Sequence, residues 1–320
     1  MTRAFVFPGQ GSQIVGMGKE LAENMPVAAE VFEEINDALG QNLSGLMFEG
    51  PQEDLTLTHN AQPALMAVSL AVVRVLEKDF DVKLGDVASY VAGHSLGEYS
   101  ALAAAGAIDL ADTARLLKLR GEAMQHAVPV GEGAMAAILG LNFDVAEAVA
   151  IEAAQGNETV KGEICTAAND NADGQVVLSG HKAAVERAIE IAKEKGAKRG
   201  VLLPVSAPFH CSLMQPAADE MAAALATTTI NAPVVPLIAN VTAAPETDPD
   251  QIRKLLVDQV TGRVRWRESV LKMAELGVKT QVEAGAGKVL SGLVRRINRD
   301  MKAVSLQNPS DLEAFAEGLK

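Results

Sequence analysis

A glycine-flanked serine, Gly93-His94-Ser95-Leu96-Gly97, stands between an apolar run, Val87-Ala88-Ser89-Tyr90-Val91-Ala92, and an alanine-rich stretch, Glu98-Tyr99-Ser100-Ala101-Leu102-Ala103-Ala104-Ala105. This order predicts a strand, a sharp turn and a helix, which commits the chain to a sheet with helices packed on it. Gly93 and Gly97 keep side chains out of a turn that a larger residue would crowd. Ser95 is then exposed at a helix N-terminus, where developing negative charge is stabilised. A serine so placed is a candidate nucleophile for acyl transfer. The plainer alternative is a strand-to-helix turn with a capping serine, because the five-residue pattern alone is short enough to arise by chance.

Composition points the same way. Of 320 residues, 48% are hydrophobic but only 3% are aromatic, so the core is built from Ala, Val, Leu and Ile. That favours helices layered on a sheet over an aromatic-rich sandwich. The two cysteines, Cys165 and Cys211, make neither a disulfide framework nor a metal cluster, and imply a reducing, cytoplasmic setting. The apolar stretch at the start is too short for a signal peptide, and no run is long enough to span a bilayer. A net charge of −13 argues against nucleic acid as a partner. An acidic partner would need a local basic patch. Lys193, Lys195, Lys198 and Arg199 form one candidate; Arg263, Arg265 and Arg267, and Arg295, Arg296 and Arg299, form two more. Each also reads as an ordinary solvated face.

Along the chain, Ala4-Phe5-Val6-Phe7 reads as a buried strand ending at Pro8. The glycine-rich turn after it is not a dinucleotide fingerprint, since Ile14 occupies the third glycine position. It still places backbone N–H groups beyond a strand end, where ligands of open α/β sheets sit. Helical patterns follow at about 19–39, 61–78 and 110–127. From Gly133 the order becomes strand (134–139), helix (143–155), strand (163–168), strand (175–179), helix (181–195) and strand (199–203), a split ferredoxin-like unit. The expected fold is a large α/β-hydrolase-like domain with a parallel sheet, spanning 1–132 and 206–320. A small ferredoxin-like (βαββαβ) subdomain, 133–205, is inserted in it. Further strands are expected near 234–239, 280–284 and 302–306.

A serine hydroxyl needs a base, usually histidine. His94 is adjacent to Ser95, and neighbours at a turn point apart. His126 and His181 are expected on amphipathic helices, and His59 in a loop before one. His210 lies in Pro204-Val205-Ser206-Ala207-Pro208-Phe209-His210-Cys211-Ser212, where prolines stiffen a loop after a strand. It is the best-placed candidate base, with a structural capping histidine as the alternative. No acid stands out to orient it: Asp248, Asp250 and Asp258 are available, and a neutral carbonyl could also serve. On the 110–127 helix, Arg120 falls in the middle of the apolar face. A buried guanidinium needs a partner, either an internal carboxylate or one carried by a substrate.

Taken together, these segments resemble the malonyl-CoA:acyl-carrier-protein transacylases of fatty acid synthesis, related to the acyltransferase domains of polyketide synthases. The resemblance runs in order through Phe7-Pro8-Gly9-Gln10-Gly11-Ser12-Gln13, Gly93-His94-Ser95-Leu96-Gly97-Glu98 and Leu119-Arg120-Gly121. It continues through Ala168-Asn169, Gln175-Val176-Val177-Leu178-Ser179-Gly180, Pro208-Phe209-His210-Cys211-Ser212-Leu213-Met214, Gln259 and Gly285-Ala286-Gly287-Lys288-Val289-Leu290. One departure is Ala286, where relatives often carry proline. The resemblance implies a ping-pong transfer from malonyl-CoA to the phosphopantetheine thiol of holo acyl carrier protein through malonyl-Ser95. In it His210 is the general base, a carbonyl of Gln259 orients it, and backbone N–H groups of Gln10 and Leu96 form the oxyanion hole. Arg120 pairs with the malonyl carboxylate, and Asn169 contacts substrate. Phe209 before His210 resembles the malonyl-selecting pattern. The resemblance further implies a monomer with no metal and no cofactor of its own, since CoA and phosphopantetheine arrive with the substrates. Two other classes compete: a serine hydrolase, disfavoured because His210 lies far from the C-terminus, and a non-catalytic acyl-CoA sensor.

Overall fold

The computed structural model describes residues 2–155, 162–205 and 207–319; Ser206, at the expected return into the larger unit, lies outside them. Its strands, in chain order, are β1 (Arg3–Phe7), β2 (Tyr90–Gly93), β3 (Gly133–Leu139), β4 (Cys165–Ala172), β5 (Gln175–His181), β6 (Arg199–Leu202), β7 (Leu237–Ile238), β8 (Pro245–Glu246), β9 (Thr280–Ala284) and β10 (Lys302–Leu306).

They form two sheets. The larger has the order β10-β9-β1-β2-β7-β8, parallel throughout except for the edge strand β8. β1 is central, and Ala4, Phe5, Val6 and Phe7 are all buried. A parallel strand covered by helices on both faces has no solvent side, which is why this stretch is apolar without alternation. The smaller sheet has the order β4-β5-β3-β6, antiparallel throughout, with the helices Phe143–Ala154 and Lys182–Glu194 packed on it. This is the split βαββαβ arrangement expected from the strand and helix order.

In the large sheet, β1 pairs with β2 on one side and with β9 on the other. The carboxyl ends of the neighbouring parallel strands β1 and β2 therefore lie side by side, at the end of the sheet where open α/β folds bind ligands. The turn after Phe7 carries Gln10; the turn after Gly93 carries Ser95.

Several local expectations are corrected. The 19–39 pattern is two helices, Lys19–Asn24 and Pro26–Leu39, because Pro26 forces Met25 into an extended conformation. β2 starts at Tyr90, because Leu84–Val87 is a single helical turn. His59 lies in the first turn of the helix Thr58–Asp79, not in a loop before it. His181 ends β5, and its Nδ1 accepts from the Ile164 N–H at 2.9 Å, so it is not on the helix that follows.

Candidate active site

The turn after β2 is held open for Ser95 by close backbone packing. A Cβ on Gly93 would meet the Gly97 carbonyl at 1.8 Å, and one on Gly97 would meet the Phe7 carbonyl oxygen at 2.2 Å. Ser95 itself has φ 54°. This left-handed conformation is costly for a residue with a Cβ, and here it aims Oγ away from the sheet. The helix Gly97–Ala104 begins immediately behind it. The Ser95 N–H donates to Asn240 Oδ1 at 2.8 Å, while Asn240 Nδ2 donates to the Gly93 carbonyl at 2.6 Å, so both ends of the turn are tied to one side chain.

His210 meets this serine from the loop after β6. Ser95 Oγ lies 2.8 Å from His210 Nε2. On the other side of the ring, Nδ1 is 2.9 Å from the Gln259 backbone carbonyl and 3.2 Å from that of Gly262. Two carbonyls at Nδ1 require the proton there, which leaves Nε2 as the acceptor for the serine proton. His210 also has a positive φ, 58°. None of the candidate acids takes the orienting position: Asp248 caps the helix Pro249–Thr261, and Asp258 pairs with Lys254. Burial, reinforced by the Arg120 charge, pushes the His210 pKa down to about 3.

Arg120 is 1% exposed. Its Nη1 donates to Gln62 Oε1 at 2.7 Å, and its Nη2 to Gln259 Oε1 at 2.8 Å and to Ser95 Oγ at 3.1 Å. The guanidinium carbon lies 5.7 Å from the Tyr99 ring centroid. An internal carboxylate was one expected partner, yet none of these contacts is to an acid. The cation is held by neutral oxygens beside the nucleophile. Burial lowers its pKa, but a guanidinium stays charged.

The remaining expected residues line one cavity of about 440 Å³ together with Ser95, Arg120 and His210: Gln10, Leu96 and Asn169. Gln259 is fully buried behind it. The cavity is walled by Met124, Met135, Val177 and Phe209 and open toward Gln13, Gln52 and Thr56. His94 turns away from Ser95, as expected for its neighbour: its Nε2 meets Asn171 Oδ1 at 2.8 Å.

Sequence reasoning missed Gln62, Asn171, Asn240 and Glu98. The amides give no periodic signal, because a neutral polar residue in a loop, a helix or a strand end has many unremarkable explanations. Glu98 could have been found in the same way as Arg120: the helix Gly97–Ala104 buries Glu98, Tyr99, Ser100, Ala101 and Leu102 together, so a charge there has no solvent face. Burial raises the Glu98 pKa to about 7.

Of the expected basic patches, the one at 263–267 is fully ion-paired and the one at 193–199 partly so, whereas Arg295, Arg296 and Arg299 have no ion pair among the described residues. Lys193 pairs with Glu190, Lys195 with Glu152, Arg263 with Glu147, Arg265 with Glu268 and Arg267 with Asp170.

Comparison with known proteins gives the family. Residues 4–308 match the family described as the acyl transferase domain. The chain belongs to that family. This acyl transferase is 49% identical to the malonyl CoA-acyl carrier protein transacylase of Escherichia coli (strain K12), over 98% of each chain. It is 46% identical to the enzyme of the same name from Bacillus subtilis (strain 168), over 99% of this chain and 97% of that one. Its fold superposes on the acyl-carrier-protein-S-malonyltransferase of Bartonella henselae with a TM-score of 0.96 and 56% identity, covering 100% of this chain and 99% of the other. A malonyl-transacylase solved in complex with its type II PKS acyl-carrier protein gives a TM-score of 0.94 at 43% identity, covering 99% of this acyl transferase and 100% of that chain. No helix among the described residues is long and apolar enough to cross a membrane.

Proposed function

We propose that the chain transfers the malonyl group from malonyl-CoA to the phosphopantetheine thiol of an acyl carrier protein, in two half-reactions through malonyl-Ser95. The observation that carries the reading is the buried Arg120 guanidinium, 3.1 Å from Ser95 Oγ and bonded there to neutral oxygens. An acyl group on Ser95 that also carries a carboxylate would give this cation the anion it lacks. The short separation suits a short acyl chain, and malonyl is the one that the relatives' names carry.

In the first half-reaction Ser95 Oγ attacks the thioester carbon as His210 Nε2 takes its proton. The carbonyl oxygen becomes an oxyanion, for which the backbone N–H groups of Gln10 and Leu96 are the donors at the cavity wall. The Ser95 N–H is committed to Asn240, and Leu96 lines the cavity. The C–S bond breaks, and His210 returns the proton to the departing CoA thiol. The second half-reaction runs the same steps in reverse, with the carrier thiol attacking malonyl-Ser95. The carbonyls of Gln259 and Gly262 hold the imidazole tautomer, the task a carboxylate performs in serine hydrolases. Asn169, at the wall, contacts the substrate. The chain works in the cytoplasm as a monomer, with no cofactor beyond what its substrates carry, and without nucleic acid or a membrane. The carrier docks on Lys193–Arg199 or on the C-terminal arginines, and salt weakens the second half-reaction.

Intact mass after exposure to malonyl-CoA tests the reading. A malonyl adduct mapped to Ser95, absent from Ser95→Ala and discharged by holo acyl carrier protein, is the expected result. Free malonate as the main product would make the chain a hydrolase. No adduct, with turnover surviving in Ser95→Ala, would remove the nucleophile as assigned.

A further inference from the structure

Glu98 lies three residues beyond Ser95, fully buried, and touches neither His210 nor the cavity. Its Oε2 accepts two hydrogen bonds, from Gln259 Nε2 at 2.8 Å and from the Asn240 backbone N–H at 3.1 Å. Its Oε1 has no hydrogen-bond partner among the described residues. One oxygen of this carboxylate thus holds two residues that each hold the active serine. Asn240 secures the turn through Ser95 N and the Gly93 carbonyl. Gln259 donates from the same Nε2 to the Ser95 carbonyl at 3.0 Å, and its Oε1 accepts from Arg120 Nη2 at 2.8 Å.

An amide side chain can face either way. If the Gln259 amide were reversed, its NH2 would confront the Arg120 guanidinium, donor against donor, and its oxygen would confront Glu98 and the Ser95 carbonyl, acceptor against acceptors. A hydrogen-bond acceptor at position 98 therefore joins Arg120 and the Ser95 carbonyl in selecting the one orientation in which Gln259 presents an oxygen to Arg120. We propose that Glu98 is a positioning residue for carboxylate selection, acting through the Gln259 amide to keep Arg120 aimed at the acyl group on Ser95. The inference rests on the malonyl-transfer reading and adds to it the residue that sets the orientation of the selecting cation. It requires an acceptor oxygen at position 98 and no charge there. Glutamine can supply that oxygen, with its amide nitrogen in the place of the unpartnered Oε1.

The test compares Glu98→Met, which keeps length but has no oxygen, with Glu98→Gln. Acyl-enzyme formation is measured for malonyl-CoA and acetyl-CoA in each. Glu98→Met is expected to lower the malonyl-to-acetyl ratio of kcat/KM by roughly tenfold or more, the scale of a lost hydrogen bond to a buried charged group. Glu98→Gln is expected to restore the ratio to within about threefold of wild type, well inside the span of that lost bond. Equal losses on both substrates in Glu98→Met, or a Glu98→Gln variant as unselective as Glu98→Met, would overturn the proposal. Should Glu98→Met not fold, Gln259→Met deletes the amide that Glu98 orients while keeping the backbone carbonyl for His210. It is expected to lower the same ratio, and an unchanged ratio there also overturns the proposal. Wild type without a malonyl preference would instead overturn the malonyl-transfer reading, whatever the variants do.

Discussion

At the scale of single residues, the site is a cation and a weak base sharing one serine oxygen. Ser95 Oγ is within hydrogen-bond reach of both His210 and Arg120. On the malonyl-transfer proposal, removing the cation in Arg120→Ala should lower malonyl transfer about 100-fold or more, since the substrate carboxylate would lose its charged partner. Acetyl transfer should fall much less, so relative activity on acetyl-CoA rises. Competition between the two thioesters checks this, and an unchanged preference would take Arg120 out of the site. The same cation bears on pH. Burial and Arg120 both disfavour the imidazolium, so His210 stays neutral, and able to accept a proton, well below the ordinary histidine pKa near 6.5. The acid limb of acyl-enzyme formation attributable to His210 should therefore lie far below pH 6.5. Glu98 acts on stability in the opposite sense. Its folded pKa is raised from 4.5 to about 7, so the stability it contributes is full below pH 4.5 and is lost as pH rises to 7 and beyond. Glu98→Gln does not titrate, and should gain stability relative to wild type between pH 5 and 8. Denaturant midpoints across that range measure it.

At the scale of elements, the serine depends on two backbones packed without side chains between them. A methyl on Gly93 would stand 1.8 Å from Gly97 backbone atoms. Gly93→Ala should therefore destabilise the fold by several kcal/mol, on the scale of severe overpacking, or abolish acylation in a protein that still melts cooperatively. A melt and a Ser95 labelling assay distinguish these two outcomes, and a variant normal in both would contradict the geometry. The turn was legible in the sequence because strand, glycines and helix follow one another within a few residues. β9 and β10 also fall at the expected positions, 280–284 and 302–306. β7 was legible only as a region: the expected strand near 234–239 reduces to Leu237–Ile238, because this edge makes a very short ladder with β2 and β8. Arg120 was legible as a charge on an apolar face. Its holders were not, because Gln62 and Gln259 come from helices distant in sequence, and an amide side chain leaves no mark on hydrophobic periodicity.

Across the whole molecule, the two sheets are joined at the site. β4 bridges to the segment after Gly262: the Val264 N–H donates to the Ala168 carbonyl at 2.8 Å, and the Asp170 N–H donates to the Val264 carbonyl at 3.0 Å. Asp170, fully buried, is also held by Arg267, with Nε 3.0 and 2.9 Å from its two oxygens and the Arg267 Nη2 atom 2.8 Å from one of them. Arg267→Met leaves a buried carboxylate unpaired and should cost about 3 kcal/mol. The double variant Asp170→Asn with Arg267→Met should recover more than half of that, as read from chemical unfolding. The seam has a mechanical consequence. Gly262, which supplies a carbonyl to His210, lies two residues from Val264, which is stitched to the smaller sheet. A hinge motion that parted the sheets would drag that carbonyl off the imidazole and leave Nδ1 on the Gln259 carbonyl alone while the mouth stood open. The seam thus favours loading and chemistry in a single shape, so the protein should retain its acylation rate when immobilised in a rigid gel that blocks large rearrangements.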